Sequence, residues 1–252
     1  MIQTARIQTY LMDSSALPDP LDVPEKLHTL ARDRVEKIYR IRHLETRKQS
    51  FGAGLLLDYA LGQQIGIRRP YLFAFNSYGK PVCGQAVFNL SHTEHFVIVS
   101  IWEKTCLEEI ETGLSIGCDI EPVRMYQPKI ARRFFTENEY ACLEKAEKQT
   151  RDEQFCRYWT RKESVIKMTG LGMSLPIDLF DISQKSKIIP DRQKLAAWQE
   201  TETGQRPENR QAANLLQSGK IFFGEYSYEG CCITVCSTVD RFAPKLLVVE
   251  AG

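Results

Sequence analysis

The segment WTRKESVIK, residues 159–167, constrains the fold most strongly, because its spacing fits a helix that is buried on one side only. Trp159, Glu163 and Lys167 recur every four residues, so their side chains stand one above another on a single helical face. Val165 and its apolar neighbours supply the buried side. An exposed Glu–Lys pair at this spacing is usually a surface ion pair worth about 0.3 to 0.5 kcal/mol, so a catalytic interpretation needs support from elsewhere in the chain.

A second feature is the alternation of apolar and polar residues in LSIGCDIEP, residues 114–122. This pattern predicts a strand that turns its apolar residues to one side and places Asp119 and Glu121 together on the other. Two carboxylates about 7 Å apart along a strand repel each other, which favours a cation between them. The alternative is an ordinary half-exposed strand whose acidic side chains are solvated.

Five short motifs follow one another along the chain: GKP (79–81), FNLSH (88–92), IGCDIE (116–121), FFTENEY (134–140) and WTRKESVIK (159–167). In this order they resemble the 4'-phosphopantetheinyl transferases of the larger, surfactin-synthetase-activating type. The resemblance runs from about Pro24 to Pro176. It implies transfer of the phosphopantetheine arm of coenzyme A to a serine of an apo acyl or peptidyl carrier protein, with release of adenosine 3',5'-bisphosphate. It also implies a requirement for Mg²⁺.

The resemblance assigns the catalytic and metal-binding roles to five side chains. Asp119, Glu121 and Glu163 are the implied Mg²⁺ ligands, and their carboxylate oxygens suit a hard cation. Glu163, or a metal-bound water that it holds, is the implied base for the carrier serine. Lys167 and His92 are the implied electrostatic partners of the reacting pyrophosphate.

A larger set of residues is implied in binding coenzyme A. It comprises Arg34, Lys37, Ser50, Lys80, Pro81, Ser91, His92, Lys162 and Lys167. Arg34 and Lys37 fall where cations meet the 3'-phosphate, and Lys80 is displayed on a Gly-Lys-Pro turn. Taken singly, these residues have simpler interpretations: a charged helix face is usually just solvated, a mid-helix serine is usually exposed, and a turn histidine is usually structural.

The pattern of elements predicts an α+β fold, and the resemblance implies two similar halves packed as an intramolecular pseudo-dimer with the active site between them. The halves are residues 1–104, with the coenzyme A phosphate contacts, and 105–252, with the metal site, catalytic helix and carrier docking. The polar segment 103–113 is the predicted linker.

Predicted helices cover residues 24–42 and 45–61, the latter with Gly62 as its C-cap. Predicted strands cover residues 2–12, 88–92, 96–102, 114–122, 220–228, 231–237 and 245–250, the last three completing a second sheet.

Composition excludes several classes of protein. The chain has 252 residues, 43% of them hydrophobic, and a net charge of +1, which argues against wholesale nucleic-acid binding. Its eight cysteines are scattered without a CxxC pair, which indicates reduced thiols; Cys232 and Cys236 are expected to be buried in a strand. No stretch resembles a signal peptide or a membrane span, so we expect the protein to stay in the cytoplasm. We also expect a monomer.

Two rival functions remain open on the sequence alone. One is another Mg²⁺-dependent pyrophosphate-transfer enzyme, which would need no carrier surface. The other is a non-catalytic module that binds coenzyme A or a carrier, which could dispense with the acidic residues. The basic segment with Lys129, Arg132 and Arg133 is the predicted docking surface for an acidic carrier helix. Residues 182–220 have no predicted function.

Overall fold

The structure, a computed structural model, describes residues 5–103, 113–184 and 188–251. Helices and several small sheets alternate along the chain, which confirms the predicted α+β class. The predicted boundary between residues 104 and 105 lies outside the described residues, as does most of the predicted linker 103–113. The first residues of the predicted strand 2–12 also lie outside them.

The first half of the chain forms a sheet around one long helix. Its strands are β1 (Ile7–Asp13), β2 (Phe73–Phe75), β3 (Pro81–Cys83), β4 (Phe88–His92) and β5 (Phe96–Trp102). Its helices are α1 (Pro24–Leu27), α2 (Arg32–Arg40) and α3 (Leu44–Asp58). Strand β5 lies between β1 and β4 and is antiparallel to both, while β2 and β3 form a separate hairpin. The predicted return from 88–92 to 96–102 is therefore confirmed.

Two helix predictions in this half are wrong in detail. The predicted helix 24–42 is two helices, because the Thr29 hydroxyl bonds to the carbonyl of Lys26 and the backbone at Ala31 becomes extended. The predicted C-cap at Gly62 does not exist, because α3 continues into a π-helical turn, Tyr59–Gln64. A Cβ at Gly62 would lie 2.9 Å from the Tyr71 hydroxyl, so glycine allows a close contact there.

The second half contains most of the helices. Its strands are β6 (Ile116–Pro122), β7 (Phe180–Asp181), β8 (Ile189–Pro190), β9 (Phe222–Tyr228) and β10 (Cys231–Ser237). Its helices are α4 (Pro128–Phe134), α5 (Glu137–Lys145), α6 (Lys148–Thr169), α7 (Arg192–Gln199) and α8 (Pro207–Ser218). Strand β10 lies between β6 and β9 and is antiparallel to both. In each half a first strand (β1 or β6) precedes a long helix (α3 or α6), and two antiparallel strands follow it (β4 and β5, or β9 and β10). The last strand, β5 or β10, lies between the other two.

The predicted third strand of the second sheet belongs elsewhere. Within 245–250 only Leu247–Val248 form a strand, β11, and it pairs with β1 of the first sheet in parallel orientation. Gln8 Nε2 donates to the carbonyl of Lys245, and the backbone N–H of Val249 donates to Leu11, so the end of the chain is attached to the first half. The prediction that this segment completes the second sheet is therefore wrong.

Strand β6 is buried on both faces. Its apolar side chains Ile116, Cys118 and Ile120 are fully buried in a cluster that includes Ile7 and Ile98 of the first sheet. The other face lies against α6 so closely that a Cβ at Gly117 would come 1.9 Å from the carbonyl oxygen of Ser164. The acidic residues of β6 are therefore held between the two halves.

The predicted burial of Cys232 and Cys236 is confirmed, since both lie in β10 with at most 1% exposure. Among the described helices, none combines the length and the apolar character that a membrane crossing requires.

Candidate active site

Helix α6 places the predicted catalytic side chains at the meeting point of the halves. Its buried side includes Val165, Ile166 and Met168, which fixes the helix against β6 and β10. Glu163 and Lys167 occupy the other side and are half-buried. The helix ends at Gly170, whose φ of 73° is the left-handed conformation favoured by glycine at a C-cap.

Asp119 is the centre of the site. It is 3% exposed, and its Oδ1 accepts hydrogen bonds from Lys167 Nζ at 2.6 Å and Ser91 Oγ at 3.0 Å. Lys167 Nζ also lies 2.6 Å from Ser91 Oγ, so β4, β6 and α6 each contribute one polar group to a single contact. The alternative of a half-exposed strand with solvated acids is therefore wrong for Asp119.

Sequence reasoning missed Asn89, which joins β4 to β6. Its Oδ1 accepts a hydrogen bond from the backbone N–H of Cys118 at 2.9 Å, and the side chain is 8% exposed. Asn89 and Ser91 are two residues apart in a strand and therefore point to the same side. The alternation of apolar and polar residues in FNLSH, residues 88–92, is the sequence feature that could have identified Asn89.

Burial and the charge of Asp119 raise the pKa values of the two nearby carboxylates. Burial, followed by the charge of Asp119, raises the pKa of Glu121 to about 7. The same two causes raise the pKa of Glu163, against an opposing contribution from Lys167. Burial alone would lower the pKa of Lys167, but Asp119 outweighs it and the pKa is raised. The site therefore concentrates negative charge that Lys167 and, at Glu121, Arg124 offset only in part.

A metal ion would have suitable donors here. Asp119 Oδ2 is buried and has no hydrogen-bond partner, which is unusual for a carboxylate oxygen. Glu121 and Glu163 supply further oxygens beside it. Within the described parts of the chain, no three acidic, histidine or cysteine side chains are close enough to form a complete metal site by themselves. The oxygen donors fit Mg²⁺ only if a substrate or water supplies the remaining ligands.

Three cations act on His92, the residue that follows Ser91. His92 is the last residue of β4. Partial burial of its ring, followed by the charges of Lys167, Lys37 and Arg34, lowers its pKa. Burial lowers the pKa of Arg34, and burial together with Arg34 lowers the pKa of Lys37. The structure thus brings the cations of α2 near His92. These cations form an electrostatic environment suited to a polyanionic ligand.

Ser50 lies on α3 beside this group. It is 7% exposed, its Oγ is buried without a hydrogen-bond partner, and its backbone carbonyl accepts a bond from Arg34 at 3.3 Å. The simpler interpretation of an exposed mid-helix serine is therefore wrong. A buried hydroxyl without a hydrogen-bond partner is unusual in a folded protein.

Lys80 and Pro81 lie near the end of α6. Gly79 has a φ of 81°, which confirms the predicted turn, and Pro81 begins β3. Lys80 Nζ donates to the carbonyls of Ile116 at 3.2 Å and Met168 at 3.0 Å, and burial lowers its pKa to about 8. The side chain therefore contacts the backbone of β6 and α6, and the structure does not bring its ammonium group to His92.

Lys162 does not reach the site. It is fully buried, pairs with Glu139 at 2.9 Å, and donates to the carbonyls of Ile177 and Phe180. Although Lys162 adjoins Glu163 in sequence, its side chain points in a different direction from α6, because consecutive helical residues are turned by about 100° from each other. The predicted contact of Lys162 with coenzyme A is therefore corrected to a structural role.

The predicted docking segment is α4 and its surroundings. Lys129, Arg132 and Arg133 are exposed, and the two arginines lie over the rings of Tyr140 and Phe134, at 5.3 and 5.1 Å from the ring centroids. A capping box of Thr136 and Glu139 starts α5. A cleft of about 220 Å³ lies beside α4 and is lined by Glu121, Ile130 and Trp159 among others.

Comparison with known proteins identifies the family to which the chain is similar. A family model described as the 4'-phosphopantetheinyl transferase superfamily matches residues 115–218, which include Asp119, Glu121, Glu163 and Lys167. The 4'-phosphopantetheinyl transferase gsp of Aneurinibacillus migulanus is 27% identical over 223 residues, covering 88% of this chain and 83% of that protein.

Two relatives from Bacillus subtilis give similar matches. The 4'-phosphopantetheinyl transferase Sfp of strain 168 is 30% identical over 171 residues, which cover 64% of this chain and 72% of Sfp. The 4'-phosphopantetheinyl transferase ffp is 31% identical over 157 residues, which cover 61% of this chain and 66% of ffp. With the acidic cluster between two sheets, these matches show that the chain belongs to the 4'-phosphopantetheinyl transferase superfamily, whose enzymes transfer the phosphopantetheine arm of coenzyme A to carrier proteins.

Proposed function

We propose that this transferase uses Mg²⁺ to move the phosphopantetheine arm of coenzyme A onto a serine of an apo acyl or peptidyl carrier protein. The observation that carries the proposal is the position of Asp119. Its buried Oδ2 has no hydrogen-bond partner, its charge raises the pKa values of Glu121 and Glu163, and the cations Lys37 and Arg34 act on His92, which follows its partner Ser91. A site that holds both acidic and basic groups suits a metal complex of a pyrophosphate.

Asp119, Glu121 and Glu163 would hold the metal. Mg²⁺ commonly binds one or two carboxylates together with substrate phosphates and waters, so an incomplete protein ligand set is consistent with this role. When bound, Mg²⁺ would neutralise negative charge on the pyrophosphate as its phosphorus is attacked.

The transfer breaks one phosphorus–oxygen bond and forms another. The serine oxygen of the carrier attacks the phosphorus that bears the pantetheine arm, and adenosine 3',5'-bisphosphate leaves with the electrons of the broken bond. Glu163 is the proposed acceptor of the serine proton, because it stands on the exposed side of α6 one turn before Lys167. Lys167 and His92 are the proposed partners of the negative charge on the departing phosphate.

Arg34, Lys37 and Ser50 are the proposed contacts for the 3'-phosphate end of coenzyme A. Support comes from the effect of both cations on His92 and from the buried, unpartnered hydroxyl of Ser50. Lys80 and Pro81 are proposed to contact the cofactor through the surface of their loop, because the ammonium group of Lys80 is bonded to backbone carbonyls.

We also propose that residues 1–104 and 105–252 are the two halves of an intramolecular pseudo-dimer. The equal order of strand, helix and hairpin in the two halves supports this arrangement. Ser91 comes from one half and Asp119 from the other, so a single chain supplies both sides of the site and a monomer would suffice. A substrate such as coenzyme A is consistent with action in the cytoplasm.

The carrier is proposed to dock on α4. Lys129, Arg132 and Arg133 are exposed there, and an acidic carrier helix would complement their charge. The cleft beside α4 reaches Glu121, so a carrier bound at this surface would present its serine close to the carboxylates.

Mass spectrometry of purified apo-carriers provides the direct test. Incubation with coenzyme A, Mg²⁺ and this protein is expected to add one phosphopantetheine group per carrier and to release adenosine 3',5'-bisphosphate. A chelator should abolish the addition. Binding of coenzyme A without modification of any carrier would contradict the proposal and favour the non-catalytic module.

A further inference from the structure

The segment without a predicted function contacts a loop of the first half. Helix α8 begins beside residues 76–80, and two side-chain hydrogen bonds join them. Ser77 Oγ donates to Glu208 Oε1 at 3.0 Å, and the Tyr78 hydroxyl donates to Asn209 Oδ1 at 2.9 Å. Both bonds span 131 positions of the chain. The contact is therefore a tertiary feature and not a local turn.

The bond between Tyr78 and Asn209 is built into the core. Asn209 is fully buried, and its amide is bonded at both ends, since Nδ2 donates to the carbonyl of Thr203 at 2.7 Å. The Tyr78 ring packs against the hydrophobic cluster of the second half. A buried amide with both ends satisfied imposes one geometry on its partner, because any displacement leaves a polar atom without a hydrogen bond.

The opposite side of the loop contacts α6. Asn76 Oδ1 accepts from the backbone N–H groups of Tyr78 at 3.0 Å and Lys80 at 2.8 Å, and Asn76 Nδ2 donates to the carbonyl of Gly170 at 2.8 Å. A Cβ at Gly170 would lie 2.7 Å from Asn76 Nδ2, so the loop and the helix end are in close contact. The loop is therefore fixed between the start of α8 and the end of α6.

We propose that α8 holds the loop 76–81 in the conformation that binds coenzyme A, with Tyr78 and Asn209 as positioning residues. The inference rests on the proposed contact of Lys80 and Pro81 with the cofactor. A loop that is ordered before binding loses less conformational entropy when the ligand arrives. Because the loop carries none of the carboxylates, its order should affect cofactor affinity much more than the chemical step.

The substitution Tyr78→Phe tests the inference, because it removes one hydroxyl and keeps the ring. The Kd for coenzyme A by calorimetry and the KM for coenzyme A are expected to rise about threefold to tenfold, the effect of one hydrogen bond. The kcat and the KM for the carrier should stay within about twofold. Asn209→Ala should raise the Kd and the KM for coenzyme A similarly, and in this respect the double variant should be little worse than either single one, since both remove the Tyr78–Asn209 bond. Asn209→Ala also removes the bond to the carbonyl of Thr203, so it should lower Tm more than Tyr78→Phe does.

Two controls separate this role from general loss of stability. Leu216→Val alters a fully buried residue near the other end of α8 and should lower Tm without changing the KM for coenzyme A. Ser77→Ala removes a bond from an exposed residue of the same loop, which water can replace, so its effect should be small.

Hydrogen exchange reports on the loop independently of activity. The N–H groups of Tyr78 and Lys80 are bonded within the loop, and their exchange should accelerate in Tyr78→Phe but not in Leu216→Val. Unchanged exchange would overturn the inference, and so would faster exchange with unchanged affinity for coenzyme A. A wild-type protein that does not bind coenzyme A would contradict the proposed function, and the exchange data would still decide whether α8 holds the loop.

Discussion

Lys167 Nζ donates a 2.6 Å hydrogen bond to Oδ1 of Asp119, so this lysine pairs with the neighbouring strand. In the part of the chain that the structure describes, Lys167 forms its ion pair with Asp119 and not with Glu163, which stands one turn earlier on the same helix. A surface pair within α6 would have left Glu163 without a function. With Lys167 bonded to Asp119, the Glu163 carboxylate is near enough to Asp119 for that charge to raise its pKa.

Asp119→Asn is expected to abolish transfer while changing Tm little. The substitution removes a negatively charged oxygen donor and also relieves repulsion with Glu121 and Glu163, and this relief offsets the lost pair with Lys167. Mass spectrometry of the carrier and thermal unfolding without ligands measure the two effects. Transfer at the wild-type rate in the presence of a chelator would show that a metal is not needed.

Glu163→Gln should lower kcat by at least about 10²-fold while coenzyme A still binds, since general-base contributions are typically of this size. The amide keeps the shape of the side chain but cannot accept the serine proton. Steady-state kinetics on a carrier, with coenzyme A affinity from calorimetry, separates the two effects. If kcat were close to that of the wild type, Glu163 would be a surface residue without a role in proton transfer.

Arg34→Ala and Lys37→Ala are expected to raise the KM for coenzyme A with little change in kcat, because contacts far from the reacting phosphorus act mainly as binding energy. Their loss should be much smaller with 3'-dephospho-coenzyme A, which lacks the phosphate in question. Equal losses on both substrates would mean that the two cations bind another part of the cofactor. Arg32→Ala is the matched control, since Arg32 lies on the same helix and pairs with Glu36.

Lys162→Met should destabilise the fold by about 3 to 5 kcal/mol, because it leaves the buried carboxylate of Glu139 without its partner. The double variant Lys162→Met with Glu139→Gln should recover part of this loss, since it removes the unpaired charge. Urea unfolding measures both free energies. In the folded fraction, the KM for coenzyme A should be unchanged; a selective rise in this KM would restore Lys162 as a phosphate contact.

Asp181 should make stability depend on pH in the acid range. Burial alone would raise its pKa, but hydrogen bonds from Ser183, Thr136 and Asn138 outweigh it and hold the pKa below the ordinary 3.8. Because the folded pKa is depressed, the stabilisation is present above the unfolded value and is lost as the pH falls through the folded pKa.

Asp181→Asn is therefore expected to lower the free energy of unfolding by about 1 to 3 kcal/mol at pH 7, with the difference shrinking as the pH falls below about 4. Urea midpoints across this range provide the measurement. Asp240→Asn is the control at an exposed position and should follow the wild type. A difference between Asp181→Asn and wild type that stays constant with pH would exclude the carboxylate as its source.

The sequence alone determined the elements whose cause is local. The four-residue spacing of Trp159, Glu163 and Lys167 predicted α6, and the alternation around Asp119 predicted β6, because side-chain periodicity is a property of each element by itself. The motif order predicted the family. The Gly79 turn and the Thr136 capping box were likewise predictable, since each depends on a few adjacent residues.

Only the tertiary structure decided which neighbouring residues face the site. Lys162 and Glu163 are adjacent in sequence, yet one is bonded to Glu139 in the core and the other lies near Asp119. The direction of a helical face depends on what packs against it, and that is set by residues far away in the chain. The same reason applies to β11, which pairs with β1, and to Asn209, whose partner Tyr78 is 131 positions away. Such contacts form when distant segments bury their surfaces against each other, so no local sequence pattern predicts them.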